Sequence, residues 1–210
     1  MKIESVPESA LPALQGTLDA SGKRFAIVVS RFNAFITERL FLSACDGLLR
    51  LGARKTDISV VRVPGSFEIP SAARTLAETE EYDAILCIGC LLRGDTAHYD
   101  VIVNEVARGI GQSAQETGVP HAFGVLTCDT LEQAIDRAGL KMGNKGFEAA
   151  LAAVEMASLK SAISGPAPGA SKSILRSQPS AVSKKQVPHP RDARVRNDKK
   201  KSNRKNTRRH

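Results

Sequence analysis

The sequence predicts an α/β fold, a parallel sheet between two layers of helices, from three observations. Short apolar or β-branched runs recur at 24–30, 57–63, 83–89 and 121–128. Between them lie stretches with apolar residues at steps of three and four, the helical period. Glycine, proline or a capping residue punctuates each change. Strands alternating with helices at this spacing make four βαβ-type units, hence a parallel sheet covered on both faces.

Taken in order, Arg24 to Ser30 has the near-continuous apolar character of a buried parallel strand. Asn33 stands where it can cap the next helix, in which Ile36, Leu40, Ala44, Leu48 and Leu51 form one stripe ending at Gly52. Asp57 to Val63 is a second strand, Pro64-Gly65 a turn, and Ser66 to about Glu80 a second helix. Asp83 to Gly89 is a third strand. The loop Arg93-Gly94-Asp95-Thr96 follows, with Thr96 able to cap a long helix that ends at Gly118. His121 to Cys128 is a fourth strand. Thr130 with Gln133 forms a capping box for a helix that Gly139 stops, and a last helix runs from near Asn144 to near Leu159.

The chain divides into three parts. Residues 1–22, with Pro7, Pro12, Gly16 and Gly22, read as an extended arm, and 23–160 as the ordered domain. Residues 161–210 hold 14 of the 30 Lys+Arg and 2 of the 22 Asp+Glu, a net of +12. The body therefore carries −4, and the basicity is a tail. That tail has almost no large apolar residues, which predicts disorder, because burial cannot offset ordering entropy.

No apolar run reaches membrane-span length, and Glu4 and Glu8 argue against a signal peptide. Cys87 and Cys90 form a C-x-x-C, the spacing of a redox or metal pair. They lie in an apolar strand whose alternation sends them to opposite faces, and no second pair completes a zinc site. Buried reduced thiols are the expectation, which fits a cytoplasmic protein. No Gly-x-Gly-x-x-Gly follows the first strand and no Walker loop exists, which argues against dinucleotide and nucleoside-triphosphate enzymes.

In such sheets ligands bind beyond the carboxyl ends of the strands, here the loops at 31–33, 64–68, 89–98 and 126–129. In the third loop, Gly94 permits close backbone approach and the first turn of the next helix offers free N–H groups to an anion. His98 sits in that turn, where the helix N-terminus disfavours imidazolium and keeps a proton acceptor available. The same residues also read as a capping loop with a surface histidine. Ser66, Phe67 and Glu68 could hold a polyol or form only a Pro-Gly turn. Phe32 could stack on a flat heterocycle or serve as a hydrophobic staple.

The combination resembles the lumazine synthase family from about residue 23 to 160. The matching stretches are Val-Ser-Arg-Phe-Asn (29–33), Val-Pro-Gly-Ser-Phe-Glu-Ile-Pro (63–70), Arg93-Gly94-Asp95-Thr96-Ala97-His98-Tyr99, Phe-Gly-Val-Leu-Thr-Cys-Asp (123–129), Arg137-Ala138-Gly139 and Gly-Asn-Lys-Gly (143–146). Six such stretches in order are highly specific. Leu92, Ala97 and Tyr99 stand where other residues are common in the family.

The resemblance implies a flavodoxin-like three-layer fold with a four-stranded parallel sheet, and an N-terminal arm able to add a strand to a neighbour. It implies a cofactor-free condensation of 5-amino-6-(D-ribitylamino)uracil with 3,4-dihydroxy-2-butanone 4-phosphate. Phe32 would stack on the pyrimidine, with Asn33 near it. Ser66, Phe67 and Glu68 would hold the ribityl chain, and Leu91 and Leu92 would line the ring pocket. Gly94, Asp95 and Thr96 would bind phosphate, and His98 would transfer protons. Phe123, Arg137 and Lys145 would come from a neighbouring subunit, Arg137 onto the phosphate. No metal is implied. The resemblance further implies pentamers, and the short 137–145 segment is similar to that of sixty-subunit icosahedral shells. Two rival readings stand beside this one: a paralogue that binds without efficient turnover, and a nucleic-acid-binding protein acting through its tail, which can bind polyanions through phosphate alone.

Overall fold

The computed structural model describes residues 13–141 and 143–165. The elements are β1 (Phe25–Ser30), α1 (Ala34–Arg50), β2 (Ile58–Val63), α2 (Ile69–Ala77), β3 (Ala84–Leu92), α3 (His98–Thr117), β4 (His121–Cys128), α4 (Leu131–Arg137) and α5 (Lys145–Ser164). Single 3₁₀ turns precede β2 (Lys55–Asp57) and α2 (Ser66–Glu68). The strands form one parallel sheet in the order β2-β1-β3-β4.

Alternation along the strands separates two cores. Phe25, Ile27, Val29, Leu86, Ile88, Cys90 and Leu126 face α1 and α5, where Ile36, Leu40, Ala44, Leu48, Ala150, Ala153 and Val154 close the layer. Ala26, Val28, Ile85, Cys87 and Val125 face α2 and α3, against Ile69, Ala73, Val106 and Ile110. β1 is buried along its whole length, as its sequence predicts. Cys87 and Cys90 lie on opposite faces, and the four cysteines are free. Burial pushes the thiols of Cys87 and Cys90 up to about 12, with Cys128 adding to the effect at Cys90.

Small residues bring α1 and α5 together. A Cβ on Gly146 would overlap the Leu40 carbonyl oxygen, and one on Gly47 would crowd Ala150 and Phe147. Asn144 caps α5 by accepting from the Gly146 N–H at 2.8 Å, while its Nδ2 donates to the Ala138 carbonyl at 2.8 Å. One side chain thus fixes both the end of α4 and the start of α5.

Several local expectations need correction. Asn33 does precede α1 but forms no side-chain cap; it is left-handed, with φ 59°. The residue before α3 is Ala97, also without a side-chain cap, so Thr96 does not cap that helix. β3 continues to Leu92, three residues past Gly89, because β4 pairs with it throughout. α5 runs to Ser164, past the expected end near Leu159. In the arm, residues 13–22 are irregular but attached: the Thr17 N–H donates to Ser158 Oγ at 3.1 Å, and Ala20 is buried. Of the arm (1–22) expected to add a strand to a neighbour, residues 1–12 lie outside the described residues; of the tail (161–210) expected to be disordered, residues 161–164 instead continue α5, and 166–210 lie outside the described residues.

Gly146→Ala is expected to destabilise the protein by at least about 2 kcal/mol, since the neighbour it meets is backbone and cannot rotate away. Denaturant unfolding of the variant, with an unchanged slope, checks this.

Candidate active site

The strand order reverses direction between β1 and β3, and the chain leaves these two strands on opposite sides of the sheet. The resulting crevice is held at its mouth by backbone and side-chain bonds. Asn33 Nδ2 donates to the Cys90 carbonyl at 3.0 Å, tying the β1 loop to β3. The left-handed backbone at Asn33 aims that amide across the gap. The N–H groups of Arg31 and Phe32 donate to the carbonyls of Val63 and Pro64 at 2.8 and 3.1 Å, tying the same loop to the end of β2.

A cavity of about 540 Å³ opens above this crevice, lined by Phe32, Asn33, Ser66, Phe67, Glu68, Leu91, Leu92, Gly94, Thr96 and His98 among others. Three separate loops of the sequence therefore converge. Phe32 and Phe67 are 69% and 55% exposed, so neither is absorbed by the core as a staple would be. His98 is the first residue of α3 and is exposed. Glu68 turns one carboxylate oxygen back to accept from the Gly65 N–H at 2.9 Å, which rigidifies its turn. Asp95 lies in the exposed loop and is not among the lining residues. Cys90, Tyr99 and Ile102 also line the cavity; the extension of β3 and the start of α3 at residue 98 bring them there.

Phe123, Arg137 and Lys145 are brought together, but elsewhere. They line a second cavity of about 600 Å³ along the outer edge of β4, with Gln133 and Asp136. The two cavities share no lining residue. Arg137 ends α4 and Lys145 begins α5, so the Asn144 bridge sets their spacing. Lys145 pairs with Glu148 one turn along. Among the described residues, no cluster of His, Cys, Asp or Glu could hold a metal ion, and no helix is long and apolar enough to cross a membrane.

A family model described as 6,7-dimethyl-8-ribityllumazine synthase matches residues 22–161. A protein of Desulfotalea psychrophila named 6,7-dimethyl-8-ribityllumazine synthase is 55% identical over 150 residues, covering 71% of this chain and 97% of its own. The chain belongs to the 6,7-dimethyl-8-ribityllumazine synthase family. It is accordingly a transferase of riboflavin biosynthesis with the three-layer fold of that family.

For a lumazine synthase the first cavity offers suitable chemistry. Two exposed aromatic faces can sandwich or stack on a flat ring. The Ser66 hydroxyl is 95% buried by residue and has no hydrogen-bond partner within the protein. An orphaned buried hydroxyl costs about 1–3 kcal/mol and is relieved when a ligand supplies the partner. Gly89 leaves the room for it, since a Cβ there would stand 2.7 Å from Ser66 Oγ.

Ser66→Ala is therefore expected to leave the melting temperature of the free protein unchanged or slightly higher. It should reduce the thermal stabilisation given by the ribityl-bearing substrate. A thermal-shift titration of both proteins reads both effects.

Proposed function

We propose that the first cavity is where this chain condenses 5-amino-6-(D-ribitylamino)uracil with 3,4-dihydroxy-2-butanone 4-phosphate to 6,7-dimethyl-8-ribityllumazine. In this reading Phe32 stacks on the pyrimidine beside Asn33, Ser66, Phe67 and Glu68 hold the ribityl chain, and Leu91 and Leu92 frame the ring. Gly94, Asp95 and Thr96 receive the phosphate. The substrate's 5-amino group attacks the ketone and forms an imine with loss of water. Phosphate is then eliminated, and the ribitylamine closes the ring with loss of a second water. Each step moves protons between positioned groups, the task of a histidine at the cavity wall such as His98. Holding two substrates together supplies much of the acceleration. No cofactor enters this scheme.

The observation that carries the reading is the division of the expected site between two separate cavities of one chain. Phe123, Arg137 and Lys145 are side by side along the edge strand β4, in a cavity that shares no lining residue with the His98 cavity. A neighbouring copy that sets this edge against the first cavity would complete both. We therefore read the protein as a homo-oligomer of pentamers with active sites between neighbours, the short 137–145 segment favouring a sixty-subunit shell. Free thiols among the described residues support a cytoplasmic location.

The division of the chain into an arm (1–22), a catalytic domain (23–160) and a basic tail (161–210) follows the same reading. The tail's +12 charge without aromatic residues favours contact with polyanion phosphates and no base stacking.

His98→Ala is expected to slow the single-turnover condensation by about 10²-fold while substrate binding stays near normal; an unchanged rate removes His98 from the mechanism. Arg137→Ala should chiefly raise KM for the ketose phosphate, because a charge-assisted contact is lost; equal weakening for both substrates contradicts the assignment. Deleting residues 165–210 should preserve turnover and the sedimentation of a large shell, and abolish retention on a polyanion column at low salt. Free pentamers or decamers at micromolar concentration would defeat the shell, and lost activity would defeat the division of the chain.

A further inference from the structure

Arg93 stands immediately before the loop expected to bind phosphate, and a cation there suggests a phosphate ligand. Its geometry says otherwise. The Arg93 N–H donates to the Cys128 carbonyl at 2.9 Å, extending the β3–β4 ladder by one residue. The guanidinium then makes three contacts to three places. Nε donates to Asp129 Oδ1 at 2.8 Å, at the exit of β4. Nη1 pairs with Asp100 Oδ1 at 3.0 Å, in the first turn of α3. Its plane lies over the Tyr99 ring, with Cζ 4.3 Å from the centroid. Arg93 is absent from the cavity lining.

These contacts span the loop that matters. Arg93 and Asp100 flank residues 94–99, so their ion pair ties together the two ends of the segment carrying Gly94, Thr96 and His98. That segment has little else to hold it. Residues 93–98 are exposed, and a Cβ on Gly94 would meet nothing within 4 Å. Asp129 is itself held, since its N–H donates to Gln133 Oε1 at 2.9 Å. The brace therefore runs from the residue that follows β4, through Arg93, to the helix turn that presents His98.

The partners are exposed: Arg93 is 44% and Asp129 63% accessible at the side chain. Ion pairs this open add little to global stability. They do select an orientation, because a planar guanidinium donating to two carboxylates while stacked on a ring has one arrangement.

We infer that Arg93 is a positioning residue of this enzyme, bracing the phosphate loop and the His98 turn through Asp129 and Asp100 rather than binding phosphate itself. The inference rests on the reading of His98 and residues 94–96 proposed above. A double-mutant cycle with Arg93→Ala and Asp129→Asn on the full-length protein tests it, with Arg93→Lys as the conservative variant and His98→Ala as a reference. Either single change should lower kcat about tenfold, with KM for the ketose phosphate within about twofold of the parent, because loop misplacement acts on the reacting geometry. The double variant should be no slower than the worse single, since both break one brace. Arg93→Lys, which keeps the charge but not the fork, should regain part of kcat.

A rise in KM for the ketose phosphate at unchanged kcat in Arg93→Ala, with Asp129→Asn silent, would make Arg93 a phosphate ligand and overturn the inference. Losses that track melting temperature or assembly, with normal kcat per folded site, would make the brace merely structural and overturn it equally. A His98→Ala variant that turns over normally would instead indict the site reading, whatever the cycle shows.

Discussion

An all-parallel sheet with β1 and β3 at its centre imposes a constraint on everything else in this protein. Parallel strands need crossover helices, and the helices must cover both faces because the central strands are apolar on both. Strand order β2-β1-β3-β4 sends the connection after β1 one way and that after β3 the other. No backbone fills the space between the two departing chains. The crevice is thus a consequence of topology, and the loops around it are free to carry chemistry because the sheet beneath them is already stable.

The helices that flank this sheet are placed by small residues as much as by large ones. Gly47, Gly146, Ala150 and Ala153 let α1 and α5 approach closely, and a Pro70–Gly109 contact does the same for α2 and α3. The close α1–α5 approach in turn sets where α5 starts, and Asn144 relays that position to the end of α4. Arg137 and Lys145 face one cavity because two helices are stapled at their facing ends, even though the staple touches neither cation.

Electrostatics in the described part is mostly peripheral. Pairs such as Arg24–Glu81, Arg50–Asp46 and Arg74–Glu78 are exposed and contribute little stability. The Arg93–Asp100–Asp129 group differs by location, since it joins three elements beside the cavity. Inside the sheet the thiols of Cys87 and Cys90 are held protonated by burial, which removes them as nucleophiles at neutral pH.

The four strands, the helices between them and the faces of Cys87 and Cys90 were legible in the sequence, because period-2 and period-3.6 patterns are local consequences of burial. The sequence also marked the three loops that meet at the cavity, since their position at strand ends follows from the same pattern. Cap chemistry was less legible. Asn33 and Thr96 have the residue types of helix caps, yet the Asn33 amide reaches 57 residues along the chain to Cys90, and neither side chain caps its helix. Cavity-lining residues such as Tyr99 and Ile102 depended on where α3 begins, which the loop sequence left open by a residue or two. The long-range fold, by contrast, turns Arg93 to Asp129 and Asp100. Within one chain it also puts Phe123, Arg137 and Lys145 in a cavity apart from that of His98, a separation that the family resemblance had already implied by assigning them to a neighbouring subunit. Both outcomes depend on which strand ends lie side by side, and that is set by sheet order, a property of long-range pairing that no short window of sequence contains.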